Sequence, residues 1–294
     1  MLEVKGLVKR YGRLTAVDGI SFRIPPGTCF GLLGPNGAGK TTSIEVIEDV
    51  LAPDAGEILY KGRPRSTQFR EEVGIQFQET ALLQFLTVRE TLQTFQKLYR
   101  HPMALDDVIA LCSLADILPK YNDRISGGQK KRLLLALALI NQPDLVFLDE
   151  PSTGLDPQAR WDLWNVVRRV KSQGKTIVLT THYMEEAQQL CDEIAIMDHG
   201  TIIARGAPEG LIDQHTAGPA LVLPRKNFPR PPRQIMPGWR THGQQGELVD
   251  LTTDHIEGAL EQLLRAKVSL DGMTIRSPNL EDVFLNLTGR QLRE

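Results

Sequence analysis

At 294 residues the chain can bury one large α/β core, or one core plus a small appended domain, and the second arrangement is expected. Its 34 basic and 36 acidic residues leave a formal charge of −2, without the clustered basic excess of a nucleic-acid footprint, so no nucleic-acid partner is expected. Cys29, Cys112 and Cys191 are odd in number, far apart and set among apolar neighbours, which points to buried thiols in a reducing compartment rather than disulfides or a metal site.

Residues 1–7 alternate like a strand and carry no charged-then-apolar leader, so the chain is expected to stay in the cytosol. Residues 28–33 (TCFGLL) read as a buried strand that runs into Gly34-Pro35-Asn36-Gly37-Ala38-Gly39-Lys40-Thr41, and residues 42–50, beginning at Thr42, read as the helix leaving it. That octapeptide fits G-x-x-x-x-G-K-[ST], the phosphate-binding loop. Its glycines let backbone N–H groups converge on phosphate oxygens, its lysine meets the β/γ-phosphates and its hydroxyl ligates Mg²⁺. The helix N-terminus adds unpaired N–H groups and partial positive charge.

A strand is expected at 73–77, after which the pattern turns helical. Val88, Leu92, Phe95 and Leu98 recur at helical spacing, as do Val108, Leu111 and the residues 114–118, so about 80–140 reads as a helical insertion. Its apolar run 133–140 (LLLALALI) falls far short of the roughly 20 residues that span a bilayer, so any membrane crossing must come from a partner. Buried strands follow at 145–148 and 176–181, then a hairpin of 194–197 and 201–204 closed by Asp198-His199-Gly200. Alternating strands and helices imply a mainly parallel sheet covered by helices.

Composition changes after Gly206. Pro219, Pro224, Pro229, Pro231, Pro232 and Pro237 crowd together with Arg225, Lys226, Arg230 and Arg233, which suits a linker or extended connection, with the basic residues solvated or facing anionic lipid. Beyond it, strands are expected at 247–252 and 268–275 around a helix at 256–266. A last helix is expected with Asn279 as N-cap, Asp282 completing a capping box, and one apolar stripe of Leu280, Val283, Phe284 and Leu287.

The apolar strand at 145–148 ends in Asp149-Glu150, two carboxylates where the crevice of an open α/β sheet lies. Beside a phosphate loop, Asp149 would hold Mg²⁺ and Glu150 would polarise an attacking water. Phosphoryl transfer asks the protein mainly for positioning and charge neutralisation.

The chain resembles the ATP-binding subunits of ABC transporters, through six motifs in the family's order across about two hundred residues. Tyr11 matches the adenine-stacking aromatic, residues 34–42 the phosphate loop, Gln78 the Q-loop, and Ser126-Gly127-Gly128-Gln129 the signature. Asp149-Glu150 matches Walker B, Asp156 the D-loop and His182 the switch histidine. The resemblance implies an α/β P-loop ATPase core with a mainly parallel sheet, an antiparallel N-terminal β subdomain and the helical insertion. A small C-terminal α/β accessory domain would occupy 215–294, after an ATPase domain of 1–214. It implies catalytic roles for Glu150, His182 and Gln78, and metal ligation by Thr41, Gln78 and Asp149. ATP is expected between the phosphate loop of one subunit and the signature and Asp156 of another, in a head-to-tail dimer of this or a related cassette. Integral membrane permease subunits would receive the motion, on the cytoplasmic face of the membrane. Ile125 stands where the signature usually has leucine, and Leu137 where arginine is frequent.

Ser-Thr-Gly-Leu-Asp at 152–156, Thr181-His182-Tyr183-Met184-Glu185-Glu186-Ala187 and the tail motif 279–289 resemble the daunorubicin-resistance-like exporters, a group that includes drug and nodulation-factor exporters. A ribosome-acting ABC ATPase would usually carry two cassettes and a basic linker. A DNA-repair or chromosome-organising one would carry a long coiled coil between loop and signature, where this chain has fewer than ninety residues and no sustained heptads.

Overall fold

A computed structural model describes residues 1–78, 80–216, 218–229, 231, 240–242 and 247–289. They fall into two compact units, Met1–Pro208 and the residues from Glu209 onward.

The first unit opens with an antiparallel sheet of β1 (Leu2–Tyr11), β2 (Leu14–Ile24), β4 (Ala55–Tyr60) and β5 (Arg63–Pro64), in the order β2-β1-β4-β5. In β2 the inward residues Ile20, Phe22 and Ile24 alternate with exposed Ser21 and Arg23, the period of a strand with one covered face. A six-stranded sheet contains β3 (Cys29–Leu33), β6 (Val73–Gln76), β7 (Leu145–Asp149), β8 (Thr176–Thr181), β9 (Glu193–Asp198) and β10 (Thr201–Gly206). Its order is β10-β9-β3-β8-β7-β6, and every neighbouring pair is parallel except β9-β10. Every residue of β3, β7 and β8 is buried, as continuous apolar runs covered on both faces require. The hairpin turn is His199-Gly200, with φ of 46° and 80°, the two positive values that a tight two-residue hairpin takes.

Helices α1 (Lys40–Ile47), α2 (Thr67–Glu72), α3 (Val88–Gln96), α4 (Leu105–Leu111), α5 (Gly127–Leu139), α6 (Pro157–Ser172) and α7 (Met184–Leu190) complete this unit. The helical insertion comprises α3, α4, two single 3₁₀ turns and α5, and buries Val88, Leu92, Val108, Leu111, Leu114 and Ile117. One member of the expected stripe is displaced: α3 closes at Lys97, and Leu98 is 70 % exposed. The three cysteines are buried, with Cys29 Sγ 3.7 Å from Cys191 Sγ.

After α8 (Pro208–His215), the second unit has an antiparallel sheet of β11 (Ala220–Pro224), β12 (Arg240–His242), β13 (Leu248–Thr252) and β14 (Thr274–Arg276), in the order β12-β13-β11-β14. Among the described residues, α9 (Ile256–Arg265) follows β13 and α10 (Leu280–Thr288) follows β14. Its core joins Leu221, Leu223, Val249, Leu251, Ala259, Leu263 and Val268. Two expectations are corrected. Residues 220–224, read from their prolines as connecting chain, form an interior strand, because Pro219 precedes it, Pro224 ends it, and Leu221 and Leu223 point into the core. The strand expected at 268–275 shrinks to Thr274–Arg276, because Lys267 at φ 58° turns the chain out of α9 and a second turn at Gly272 precedes the pairing. Arg230, Pro232, Arg233 and Pro237 lie outside the described residues. Asn279 and Asp282 do form the capping box of α10.

Candidate functional site

Strands β3, β8 and β7 lie side by side and parallel, with Leu33 opposite Thr181 and Asp149 opposite Thr180. Their C-terminal ends therefore deliver three segments to one edge: the loop 34–39, His182, and Asp149-Glu150. Next to β7, β6 pairs Gln76 with Leu148, which brings Gln78 to the level of Glu150.

The loop depends on its glycines. A Cβ on Gly34 would come 2.2 Å from Met197 O, and one on Gly39 would come 2.2 Å from Ala16 O, while both take positive φ, of 153° and 102°. A backbone bond from Gly200 N to Ala38 O at 3.0 Å ties the hairpin turn to the loop, and one from Asp18 N to Gly200 O at 2.9 Å ties the same turn to β2. Lys40 is 4 % exposed and turns its ammonium back to donate to the carbonyls of Gly34 at 2.8 Å and Pro35 at 3.1 Å. Burial lowers its pKa, against the opposing pull of Glu150 and Asp149.

Glu150 sits at φ 44°, a left-handed position held by its N–H, which donates to Thr180 O at 3.1 Å and to Thr180 Oγ1 at 3.0 Å. Its Oε2 accepts from Gln78 Nε2 at 3.2 Å and from Thr153 Oγ1 at 3.1 Å, and His182 Nδ1 stands 3.4 Å away. Asp149 accepts from Thr180 Oγ1, and burial raises its pKa, partly offset by that bond. Lys131 Nζ donates to the backbone carbonyl of Gln78 at 3.2 Å.

These residues border a cleft of about 630 Å³ lined by Tyr11, Asn36, Gly37, Gly39, Lys40, Thr41, Thr42, Gln78, Glu150 and His182. Leu14, Thr15, Ala16, Thr153, His199 and Gly200 complete the lining. Nothing stands within 4 Å of the position a Cβ on Gly37 would take, so the loop is open where an anion would lie. Gly34, Pro35 and Ala38 form the loop's frame, and Asp149 is buried behind it, 7 % exposed. Thr41 hydroxyl, Gln78 amide and Asp149 carboxylate make an all-oxygen donor set, which suits a hard cation such as Mg²⁺. Among the described residues no group of three or more His, Cys, Asp or Glu gathers to cage a metal.

The signature and Asp156 stay apart from this cleft. Ser126 caps α5, its Oγ accepting from Gln129 N at 3.3 Å while Gln129 Oε1 accepts from Ser126 N at 3.0 Å. Gly127 lines a second cavity together with Lys130, Lys131, Gly154 and Leu155, and Gln78 and Thr153 border both this cavity and the cleft. Exposed Asp156 caps α6 by accepting from Ala159 N at 2.9 Å. Leu137 is buried in α5, so an apolar residue suits the position.

Thr153, Thr180 and Lys131 escaped the sequence reading as site residues, and the His199-Gly200 turn was read only as the close of a hairpin, not as part of the cleft. Thr153 and Thr180 lay inside segments already recognised, and a hydroxyl beside a carboxylate was their only signal. Nothing local marks Lys131, and tertiary packing brings both it and the turn to the site.

A strand-loop-helix cleft with a carboxylate pair and a histidine at the C-terminal edge of one mainly parallel sheet defines a P-loop ATPase of the cassette type. The sequence model of the ABC transporter family matches residues 17–153. The chain is 39% identical over 304 aligned positions to the Nod factor export ATP-binding protein I of Rhizobium sp. (strain N33), covering 100% of this chain and 98% of that one. Among solved structures, cbiO1 of Clostridium perfringens, part of the ABC transporter complex cbiONQ, superposes with a TM-score of 0.66 at 27% identity, covering 72% of this chain and 90% of that one. A dimeric ATP-binding cassette bound to ADP and Pi in a post-hydrolysis state shares the fold at 23% identity and a TM-score of 0.62, over 70% of this chain and 98% of that one. The chain belongs to the ABC transporter family as an ATP-binding subunit. Its enzymatic activity is ATP hydrolysis coupled to transport.

Proposed function

We propose that the chain powers export of a substrate through a separate integral membrane permease, with two ATP molecules sandwiched in a head-to-tail dimer of cassettes. One observation carries the dimer: the cleft holding Lys40 and Glu150 is lined by none of Ser126, Gly127, Gly128 or Gln129. A second subunit would bring the signature, whose N–H groups at the start of α5 form an anion site for the γ-phosphate. Closure then depends on ATP, and hydrolysis releases it. The Nod factor export relative favours export, and the tail motif supports a reading within the daunorubicin-resistance-like group.

Within each site Tyr11 stacks on the adenine, the amides of 34–42 with Lys40 hold the phosphates, and Glu150 orients the attacking water. Gln78 and Thr153 hold the Glu150 carboxylate, and His182 stands ready to meet the γ-phosphate. Thr41, Gln78 and Asp149 would hold Mg²⁺. Bound there, it would supply positive charge to neutralise the phosphates. No helix among the described residues is long and apolar enough to cross a membrane. In this reading the subunit docks to its permease on the cytoplasmic face. The unit beginning at Glu209 serves as an accessory domain that braces the dimer or the permease contact.

The test is affinity purification of Glu150→Gln protein from native membranes with ATP. Co-purification of a polytopic membrane protein supports the reading, and ribosomes or nucleic acid in its place contradict it.

A further inference from the structure

We propose that Arg160 and Tyr183 are positioning residues that set His182 against Glu150, and that through Gly128 they make this setting depend on the placement of the signature helix. The start of α5 and the first turn of α6 touch at a distance only glycine permits: a Cβ on Gly128 would come 2.7 Å from the Cβ of Ala159. The next residue, Arg160, has its backbone fixed by donating to Asp156 O at 2.9 Å. Its guanidinium lies 4.4 Å from the centre of the Tyr183 ring, while its buried Nε has no hydrogen-bond partner. A cation over an aromatic face is attracted by the ring quadrupole, most strongly where water is excluded. The Tyr183 ring in turn lies on the His182 ring, centroids 4.2 Å apart and planes tilted by 40°.

His182 needs such a support. Its Nδ1 is 3.4 Å from Glu150 Oε2 but makes no hydrogen bond, so no bond at that nitrogen fixes the ring. Tyr183 itself is anchored, because its N–H donates to Thr181 Oγ1 at 2.9 Å. Gly128, Ala159, Arg160, Tyr183, His182 and Glu150 therefore form one unbroken series of contacts from the signature to the carboxylate of the same subunit. A movement of α5 relative to α6 shifts Arg160 on the Tyr183 ring, and the ring shifts His182. If the signature serves the nucleotide of the opposite subunit, occupancy of one site is felt at the catalytic carboxylate of the other. The proposal rests on His182 and Glu150 acting in hydrolysis.

Steady-state ATPase assays on full-length wild type, Tyr183→Leu, Arg160→Met and the double variant test it. Each single change is expected to lower kcat about tenfold with KM for ATP within about twofold, because the loss falls on the transition state and not on binding. The double variant should lose no more than either single one, since both break the same support. Tyr183→Phe keeps the ring and should retain nearly wild-type kcat, and Arg160→Lys keeps the charge and should recover part of it. Unchanged kcat in Tyr183→Leu, multiplied losses in the double variant, or a Tyr183→Phe variant as slow as Tyr183→Leu would overturn the proposal. Should Tyr183→Leu fail to fold by circular dichroism, the kcat of Arg160→Met against Arg160→Lys decides by the same criteria. His182→Ala separates the two levels. Wild-type turnover in that variant removes the underlying assignment of His182, whereas lost turnover there beside unchanged turnover in Tyr183→Leu and Arg160→Met removes only the positioning.

Discussion

Gln78 Nε2 donates to Glu150 Oε2 at 3.2 Å, so an amide at the end of one edge strand holds the carboxylate at the end of its neighbour. The same oxygen accepts from Thr153 Oγ1 and faces His182 Nδ1, which confines the carboxylate to one orientation beside the phosphate loop. A carboxylate held this way is prepared to orient water without reorganising during the reaction.

Glu150→Gln keeps the shape of the side chain but removes the charge proposed to orient and polarise water. ATP binding is expected to persist, turnover to fall by roughly 10²–10⁴-fold, and a closed dimer to accumulate with ATP. Phosphate release and size-exclusion chromatography measure both effects. Hydrolysis at the wild-type rate would remove Glu150 from its role.

Lys40 donates to two carbonyls of its own loop, so its ammonium must exchange those acceptors for phosphate oxygens when nucleotide enters. Lys40→Ala removes a charge-assisted contact of about 1.5–3 kcal/mol, a loss of roughly ten- to a hundredfold in ATP affinity. Titration with fluorescent ATP is the measurement. Unchanged affinity would mean that the phosphates lie elsewhere.

Glu48, at the close of α1, is 4 % exposed, and burial, with Asp149 and Glu45 nearby, pushes its carboxyl up to about 8 from an ordinary 4.5. Between those values the folded chain keeps a proton that the unfolded chain has released, so this group's contribution to stability falls as pH rises from about 4.5 to about 8. Glu48→Gln replaces the titrating group with a neutral isostere. In nucleotide-free protein the variant is expected to melt roughly 5 °C or more above wild type at pH 8, with the gap closing towards pH 5. A gap independent of pH would show that Glu48 does not titrate in this window.

Much of the candidate site was legible because phosphate binding and carboxylate placement impose local patterns. A glycine loop after a buried strand, and an apolar strand ending in Asp149-Glu150, can be read from a few adjacent residues. The positions of Thr153, Thr180 and the His199-Gly200 turn could not, because they come to the cleft through strand order and the Gly200–Ala38 bond, neither of which has a local signature. The second unit was less legible for a different reason. Proline density argued for connecting chain at 220–224, yet the two prolines flank a short interior strand whose Leu221 and Leu223 are fully buried, so burial outweighed composition. Leu98 shows the converse, an apolar residue in phase with α3 but beyond its end and left exposed.

The sandwich is tested most directly by mixing Lys40→Ala protein in excess with Ser126→Arg protein and measuring ATP-dependent dimerisation. Each variant alone lacks half of every composite site, whereas a head-to-tail heterodimer contains one site with both an intact loop and an intact signature. Partial recovery in the mixture, absent from either variant alone, is the result expected if Ser126 serves the nucleotide of the opposite subunit. No recovery at any mixing ratio would contradict it.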